Sequence, residues 1–587
     1  MVLVGGSAEL TVAWVTLTAS LHTATSIDLN DIPYAEGVRF TAKRGCLHLT
    51  RQKILADILS LLNGTEQDTR SRAVLLTGTA GIGKSAIART IAEHFDEQKR
   101  LGSSFFFDRL NDAKNRTNNV FSTVARDTAD LDPRIRENLW DVIKDNRSLR
   151  KSHSPREQFE HLILSPTEGL KVVGPIVIVI DAIDECGNDE SRKEVLDVLA
   201  TQIQKLPDNI RFLLTARPDA DIVRTLGSLN FVHHIRMENV DSRSTKMDIR
   251  AFIQEELSDI VQKPRSECPD KQSLDALAEL ADELFIWAST ACRFIQGHGE
   301  GGGRSPGERM ALLLHDGPQK LKGIDDLYLA VLRSAFKQDD AVVMNRFKVV
   351  MSIILAAKVP LSVVALSDLF EDDDILRTGT ESVIPHLGSL LSGTTAQDVP
   401  LQILHISFGD FLADVSRSQG FCINFQELNE KFAMACLTIM DRHLKRDLCA
   451  VGNRLMPNSE ITGVQGRIED YAALKYACCF FASHVTNVPV PTVTILDIVF
   501  APFLRVFQWI QAAVFSRLLA DQHCQQFLQG IFPQFCRVNF RTDFLRDRVC
   551  TFLSGHVLHW IEALSLMGQL DIAAGSVERL EEWLKVL

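Results

Sequence analysis

Hydrophobic and polar positions divide the chain into an N-terminal part that alternates short apolar runs with helical stripes and a longer remainder that is helical throughout. In residues 50–62, Ile54, Leu55, Ile58, Leu59 and Leu62 recur at helical spacing, the stripe of a helix with one buried face. Ala73 to Thr77 is an apolar run of strand length, after which Ile87, Ala88, Ile91, Ala92 and Phe95 return to helical spacing. Ser104 to Phe107, Ile176 to Ile180, Ile210 to Thr215 and Phe231 to Arg236 are further strand candidates. The unbroken β-branched run Ile176-Val177-Ile178-Val179-Ile180 suits a strand buried on both faces. Helical patches at 118–129 and 156–164 and a helix at 191–205 separate these runs. The alternation predicts an α/β domain over residues 46–237, a parallel sheet with helices on both faces. Residues 1–45 show no clear period and are expected to be an N-terminal tail.

From residue 238 onward the spacing is helical. Residues 243–260 and 272–296 are amphipathic, Gly297 to Gly307 reads as a flexible linker, and helices resume at 308–336 and 341–357. A helical domain is expected over 238–337. In 338–415, a helix at 360–370 follows Pro360 and can be capped by Ser362. A helix at 381–391 and a strand at Leu401 to Leu404 lead into His405-Ile406-Ser407-Phe408-Gly409-Asp410-Phe411-Leu412. Helices with a short hairpin in so short a span fit a winged-helix-like domain. Residues 416–587 are expected to form an all-α C-terminal domain, without a regular repeat. The apolar stretch 493–520 is interrupted by Asp497, Arg505 and Arg517, which favours a core helix or partner surface over a membrane span.

The chemistry centres on the turn after Ala73–Thr77. Gly78-Thr79-Ala80-Gly81-Ile82-Gly83-Lys84-Ser85 has the pattern G-x-x-x-x-G-K-[ST] between a strand and a helix. Glycines let backbone N–H groups curl round a phosphate, and a helix N-terminus adds partial positive charge. Gly78 through Ser85, with Ala86, are therefore the expected phosphate-binding residues of a nucleotide site. Lys84 would reach the β- and γ-phosphates, and the Ser85 hydroxyl would ligate Mg²⁺. A second half of such a site follows Ile176 to Ile180. Asp181, at the strand's C-terminal end, would hold Mg²⁺, and Asp184 or Glu185 would orient or deprotonate water. Thr215-Ala216-Arg217 ends the next strand, so a polar side chain and an arginine can approach the γ-phosphate. ATP/ADP and GTP stay open alternatives, because base contacts lie in loops without a readable code.

Composition narrows the class. With 587 residues the chain is too long for one core. Its 45% apolar and 24% charged content is ordinary for a globular protein, and a net charge of −12 argues against general nucleic-acid binding. Twelve cysteines without zinc-like spacing read as reduced, buried thiols. The N-terminus has no basic region ahead of its apolar run, and Glu9 interrupts that run, so no signal peptide is expected and the cytoplasm is the expected location.

GTAGIGKSAIARTIA, IVIVIDAIDEC, FLLTARPD, ELFIWASTACRFI, LHISFGDFL and HVLHWIEALSLMG stand in the order typical of fungal NACHT proteins. Residues 33–587 thus resemble signal-transduction ATPases of the STAND class, relatives of innate immune receptors. The resemblance implies a switch: an ADP form resembling a closed monomer, and exchange for ATP that permits homo-oligomerisation. An unidentified protein trigger or effector would act in fungal immunity or self-nonself recognition. It also implies Asp184 and Glu185 as hydrolytic acids, Arg217 as γ-phosphate sensor and His405 as a winged-helix contact to the ADP β-phosphate. The chain departs from the family at Glu283, where glycine is usual, and at Ile406, where aspartate is frequent. No repeat array is expected beyond residue 587 and no effector domain within 1–33, and residues 495–550 look inserted, so the chain resembles a switch core without input and output modules. Two other readings stay open: a winged-helix DNA-acting ATPase and a non-catalytic scaffold. Against the first, residues 360–415 hold few basic side chains, among them Arg377, with Lys358 just before.

Overall fold

Five apolar runs become strands: β1 (Ala73–Thr77), β2 (Leu101–Phe106), β3 (Ile176–Asp181), β4 (Ile210–Ala216) and β5 (Val232–Arg236). In the computed structural model they pair in parallel in the order β2-β3-β4-β1-β5. The structure describes residues 29, 32–35, 37–40, 45–64, 71–109, 111, 117–150, 152–169, 174–261, 271–298, 304–314, 323–371, 373–424, 428–445, 471–488, 544–567 and 569–586.

Alternate residues of each inner strand enter different cores. Ala73, Leu75, Ile176, Ile178, Ile180, Phe212 and Leu214 join one buried cluster, whereas Val74, Leu76, Val177, Val179 and Leu213 join another. Helices Gln52–Asn63 and Lys84–Glu97 bury their apolar stripes in the second cluster; helices Val120–Leu131, Pro133–Ile143 and Asp189–Gln202 bury theirs in the first. Right-handed crossovers require this division. The chain leaves β1 for the edge strand β2 over one face, then returns through β3 and β4 and on to β5 over the other. A β-branched or large apolar side chain fully buried in this way contributes about 1.5–3 kcal/mol.

Strand β2 begins earlier than the apolar run suggests, because its polar residues are satisfied inside. Ser103 Oγ donates to Asp127 Oδ2 at 2.6 Å, and Ser104 Oγ accepts from Phe40 N at 3.2 Å. The expectation of a tail over 1–45 does not extend to its described residues near β2. Leu29, Ile32, Ala35 and Val38 belong to the first buried cluster, and Phe106 N donates to Val38 O at 3.0 Å. The helical patch at 156–164 is a short turn, Pro155–Glu157, running into the wide π-type turn Gln158–Leu164. The stripe over 272–296 is two helices, Lys271–Leu280 and Phe285–Gln296, parted by Asp282 and Glu283 at φ 42° and 67°.

The described residues fall into two compact units, Met1–Gln296 with Arg304–Ala330 and Gly297–Gly303 with Val331–Leu587. The sheet and the helices Ser242–Glu256, Lys271–Leu280 and Phe285–Gln296 belong to the first unit. The second contains helices Ala341–Ala356, Val363–Leu369 and Asp374–Val383, then an antiparallel pair β6 (Leu391–Ser392) and β7 (Gln402–Ile403). Ser362 Oγ caps its helix by accepting from Ala365 N at 3.2 Å. The helix expected at 381–391 instead ends at Val383 in a 3₁₀ turn, Ile384–Leu387, where Pro385 cannot extend an α-helical ladder. Helices Leu428–His443, Ala472–Thr486, Phe544–Gly555, Val557–Leu566 and Asp571–Val586 follow. Linker residues 299–303, the apolar stretch 493–520 and residues 495–543 of the supposed insertion lie outside the described residues. Among the described residues no single helix is long and apolar enough to cross a membrane; Leu545–Gly555 and Val557–Leu566 reach that length only together and meet at 72°.

Candidate functional site

The order β3-β4-β1 sets the C-terminal ends of three strands side by side, and each end carries one part of the site. In parallel sheets this edge is where ligands bind. From β1 the chain turns through Gly78–Gly83 into helix Lys84–Glu97. Gly81 and Gly83 adopt φ 80° and 101°, conformations that side-chain-bearing residues rarely take. At Gly81 a Cβ would also lie 2.1 Å from Ile286 Cγ2. Gly83 is the helix N-cap and brings no side-chain acceptor, so the first-turn N–H groups are uncapped by a side chain. Lys84 Nζ donates to Gly78 O at 2.7 Å and Thr79 O at 3.0 Å, which holds the lysine over the loop.

Asp181 ends β3 and is 2% exposed. Thr215 Oγ1, from neighbouring β4, donates to Asp181 Oδ1 at 2.5 Å and accepts from Ala182 N at 3.0 Å. The Ser85 hydroxyl is a second hydrogen-bond partner of Asp181. Burial raises the proton affinity of Asp181, against the pull of these hydroxyls and the charges of Arg89 and Lys84. Lys84 is shifted the opposite way: burial lowers it, and Asp184, Asp181 and Glu185 act to restore it.

Ala182, at φ 58°, turns the chain into the 3₁₀ turn Ile183–Glu185. There Asp184 Oδ1 accepts from Arg217 N at 2.8 Å, and its Oδ2 lies 3.2 Å from Arg217 Nε. Glu185 Oε2 accepts from Arg109 N at 3.3 Å. Burial, then the neighbouring charges of Asp184, Asp108 and Asp181, push the Glu185 carboxyl up to about 7.

The structure therefore brings Gly78 to Ala86, Asp181, Asp184, Glu185 and Arg217 to one edge of one sheet. His405 belongs to the second unit, where its Nδ1 accepts from Ser407 N at 3.2 Å and caps helix Ile406–Ala413. With Nδ1 as acceptor, the neutral ring carries its proton on Nε2.

Three contributors escape sequence reasoning. Arg51, 4% exposed, donates to Ile82 O at 2.9 Å and Thr245 Oγ1 at 3.0 Å, and stacks over Phe285 at 4.9 Å. Ile286 N donates to Gly81 O at 3.1 Å, and Phe285 is the nearest neighbour of a Cβ placed on Gly83. Nothing local marks Arg51 as buried. The usual glycine near 283 is the one available signal for the turn: Glu283 takes the left-handed conformation itself, with Ser242 Oγ donating to its Oε1.

The donor set suits a magnesium-bound nucleotide. The glycine conformations form a cradle for phosphate oxygens. A buried carboxylate, Asp181, stands beside the Ser85 hydroxyl, a hard-oxygen pair suited to Mg²⁺.

Comparison with known proteins adds three findings. Residues 53–217 match the family model described as Nephrocystin 3, N-terminal. The chain is 21% identical over 425 residues to the vegetative incompatibility protein HET-E-1 of Podospora anserina, across 69% of this chain and 26% of that protein. It thus spans about a quarter of the length of that curated relative. A solved Signal Transduction ATPase with Numerous Domains (STAND) protein with a tetratricopeptide repeat sensor, from Pyrococcus horikoshii, aligns over 94% of this chain and 72% of that chain, at 10% identity and a TM-score of 0.39.

Proposed function

Since the chain is a P-loop NTPase of the NACHT type, in the STAND class, we propose that it is a signalling switch set by the nucleotide it holds. The observation that carries this is the meeting of Ser85, Asp181 and Thr215 beside Lys84, at the adjoining ends of three strands. Backbone N–H groups from Gly78 to Ala86 and the Lys84 ammonium would bind the β- and γ-phosphates. Ser85 and Asp181 would hold Mg²⁺, which would supply positive charge to the phosphate oxygens. Asp184 and Glu185 would serve hydrolysis and Arg217 would sense the γ-phosphate. His405 would contact the ADP β-phosphate from a winged-helix-like domain.

ATP and ADP are the proposed ligands, with GTP as the competing nucleotide. Different affinities of the conformers for ATP and ADP would drive the change, since only differential binding shifts a population. The ATP form would homo-oligomerise in the cytoplasm and engage a protein effector, without nucleic acid. In the setting suggested by the incompatibility protein, the output is self-nonself recognition.

The test is titration of the full chain with fluorescent ATP, ADP and GTP analogues, with and without Mg²⁺. Lys84→Ala should lose binding by at least a hundredfold. Light scattering should show a larger particle with a non-hydrolysable ATP analogue than with ADP, unaffected by duplex DNA. Equal retention of nucleotide by wild type and Lys84→Ala would overturn the site.

A further inference from the structure

We propose that Asp184 is a positioning residue for Arg217 and that Glu185 alone accepts the proton of the attacking water. A bound γ-phosphate then draws the Arg217 guanidinium away from Asp184. This rests on the nucleotide reading above and divides the two acids that it pairs.

The two carboxylates stand in different surroundings. Both oxygens of Asp184 are engaged by a single residue: Oδ1 by the Arg217 N–H at 2.8 Å and Oδ2 by the guanidinium at 3.2 Å. Its side chain is 6% exposed, against 28% for Arg217. A carboxylate with both oxygens so engaged is committed to orienting the guanidinium. The turn that bears it is also held in place. Asp184 O accepts from Arg192 Nη1 at 3.3 Å, and Arg192 is itself bound by Asp221 at 2.9 Å and Asp189 at 3.1 Å. Glu185 has the weaker contact from Arg109 N at 3.3 Å. Its raised proton affinity suits a group that must take a proton near neutral pH.

Arg217 directly follows β4, so the backbone bond to Asp184 anchors it where the strand ends. Its charge and that of Lys84 act on each other, so the two cations belong to the same site. A terminal phosphate carries more negative charge than a carboxylate and can take the guanidinium bidentately. A diphosphate offers no group there, so the Asp184–Arg217 pair stays closed. In hydrolysis, the water oxygen bonds to the γ-phosphorus while its proton passes to Glu185. The bond to the β,γ-bridging oxygen breaks with its electron pair leaving on ADP.

The experiment uses the full chain and measures Kd for a non-hydrolysable ATP analogue and for ADP, alongside single-turnover hydrolysis. Asp184→Asn removes the charge that competes for Arg217 and keeps an acceptor for its N–H. ADP affinity should stay within about twofold, and preference for the triphosphate should rise fivefold or more. Hydrolysis should fall no more than about tenfold. Glu185→Gln should lose hydrolysis by a hundredfold or more with both affinities kept. In an Arg217→Gln background, Asp184→Asn should no longer change the preference. If Asp184→Asn unfolds the domain, Arg217→Gln alone should lower triphosphate affinity while sparing ADP. Asp184 is the base, and the proposal fails, if Asp184→Asn stops hydrolysis as fully as Glu185→Gln with the preference unmoved. A preference shift that persists without Arg217 also overturns it. Absence of nucleotide binding by the wild type is a different result, which removes the nucleotide reading itself.

Discussion

The backbone N–H of Ile286 donates to the carbonyl of Gly81 at 3.1 Å, so the start of helix Phe285–Gln296 is bonded to the middle of the glycine-rich loop. A change in loop conformation therefore has a direct mechanical partner within the first unit. Gly81→Ala should disrupt both sides of this contact, because its Cβ would stand 2.1 Å from Ile286 Cγ2 at φ 80°. The expected cost is about 2–4 kcal/mol, from overpacking and left-handed strain together. Ile286→Ala in the same chain should recover part of the melting temperature, while the φ strain remains. Thermal melts of the single and double variants measure this.

Thr215 links Asp181 to the backbone of Ala182. Thr215→Val keeps shape and removes the hydroxyl, so Asp181 loses a donor at 2.5 Å and Ala182 N loses an acceptor at 3.0 Å. An orphaned buried partner costs roughly 1–3 kcal/mol. Under the nucleotide reading, the Mg²⁺ concentration at half-maximal nucleotide binding should rise about tenfold. Magnesium titrations monitored by a fluorescent nucleotide give the value.

Glu185 makes stability depend on pH with an unusual sign. Its carboxyl keeps its proton to about 7 in the folded chain, against about 4.5 when unfolded. Between these values the native state binds the extra proton, so this group's contribution to stability is lost as pH rises through the window. Glu185→Gln should be neutral at pH 4.5 and stabilising by about 1–2 kcal/mol at pH 8, a figure discounted for partial solvent access. Denaturant midpoints of both proteins across this range supply the comparison.

His484 in the second unit behaves oppositely. It is fully buried, with Nε2 accepting from Tyr476 OH at 2.7 Å, Nδ1 donating to Asn429 Oδ1 at 3.1 Å and the ring stacked on Phe432. Burial, with the Lys358 charge, lowers its pKa to about 3. The unfolded chain binds the proton first, so this contribution is intact above about 6.5 and is lost as pH falls toward 3. The protection of helix Ala472–Thr486 against hydrogen exchange, taken relative to the intrinsic exchange rate at each pH, should fall below pH 6, and His484→Gln should flatten that dependence while lowering stability at pH 7 by about 1–3 kcal/mol.

Much of the first unit was legible because its determinants are local. Two-residue alternation is masked in Ile176 to Ile180, yet an unbroken β-branched run still reads as a strand buried on both faces. The pattern from Gly78 to Ser85 carries its own geometry, since only glycine tolerates φ near 80° and 101° without strain. Strand β2 starts three residues before the expected Ser104, because Ser103 looks like a solvent-facing residue until Asp127 is brought to it. The break after Leu280 was missed because Asp282 and Glu283 carry no glycine signal, although their backbones turn left-handed.

The amino-acid sequence alone determined the strand-loop-helix at Ala73–Glu97, the acidic end of β3 and the helical character of the remainder, because spacing and glycine chemistry act over a few residues. Tertiary structure decided which acid meets which base. Asp184 and Arg217 are far apart in the chain and meet because β4 inserts between β1 and β3. Arg51 reaches Ile82 and Thr245 because two helices and a loop converge on it, and long-range packing of that kind leaves no periodic trace in the sequence.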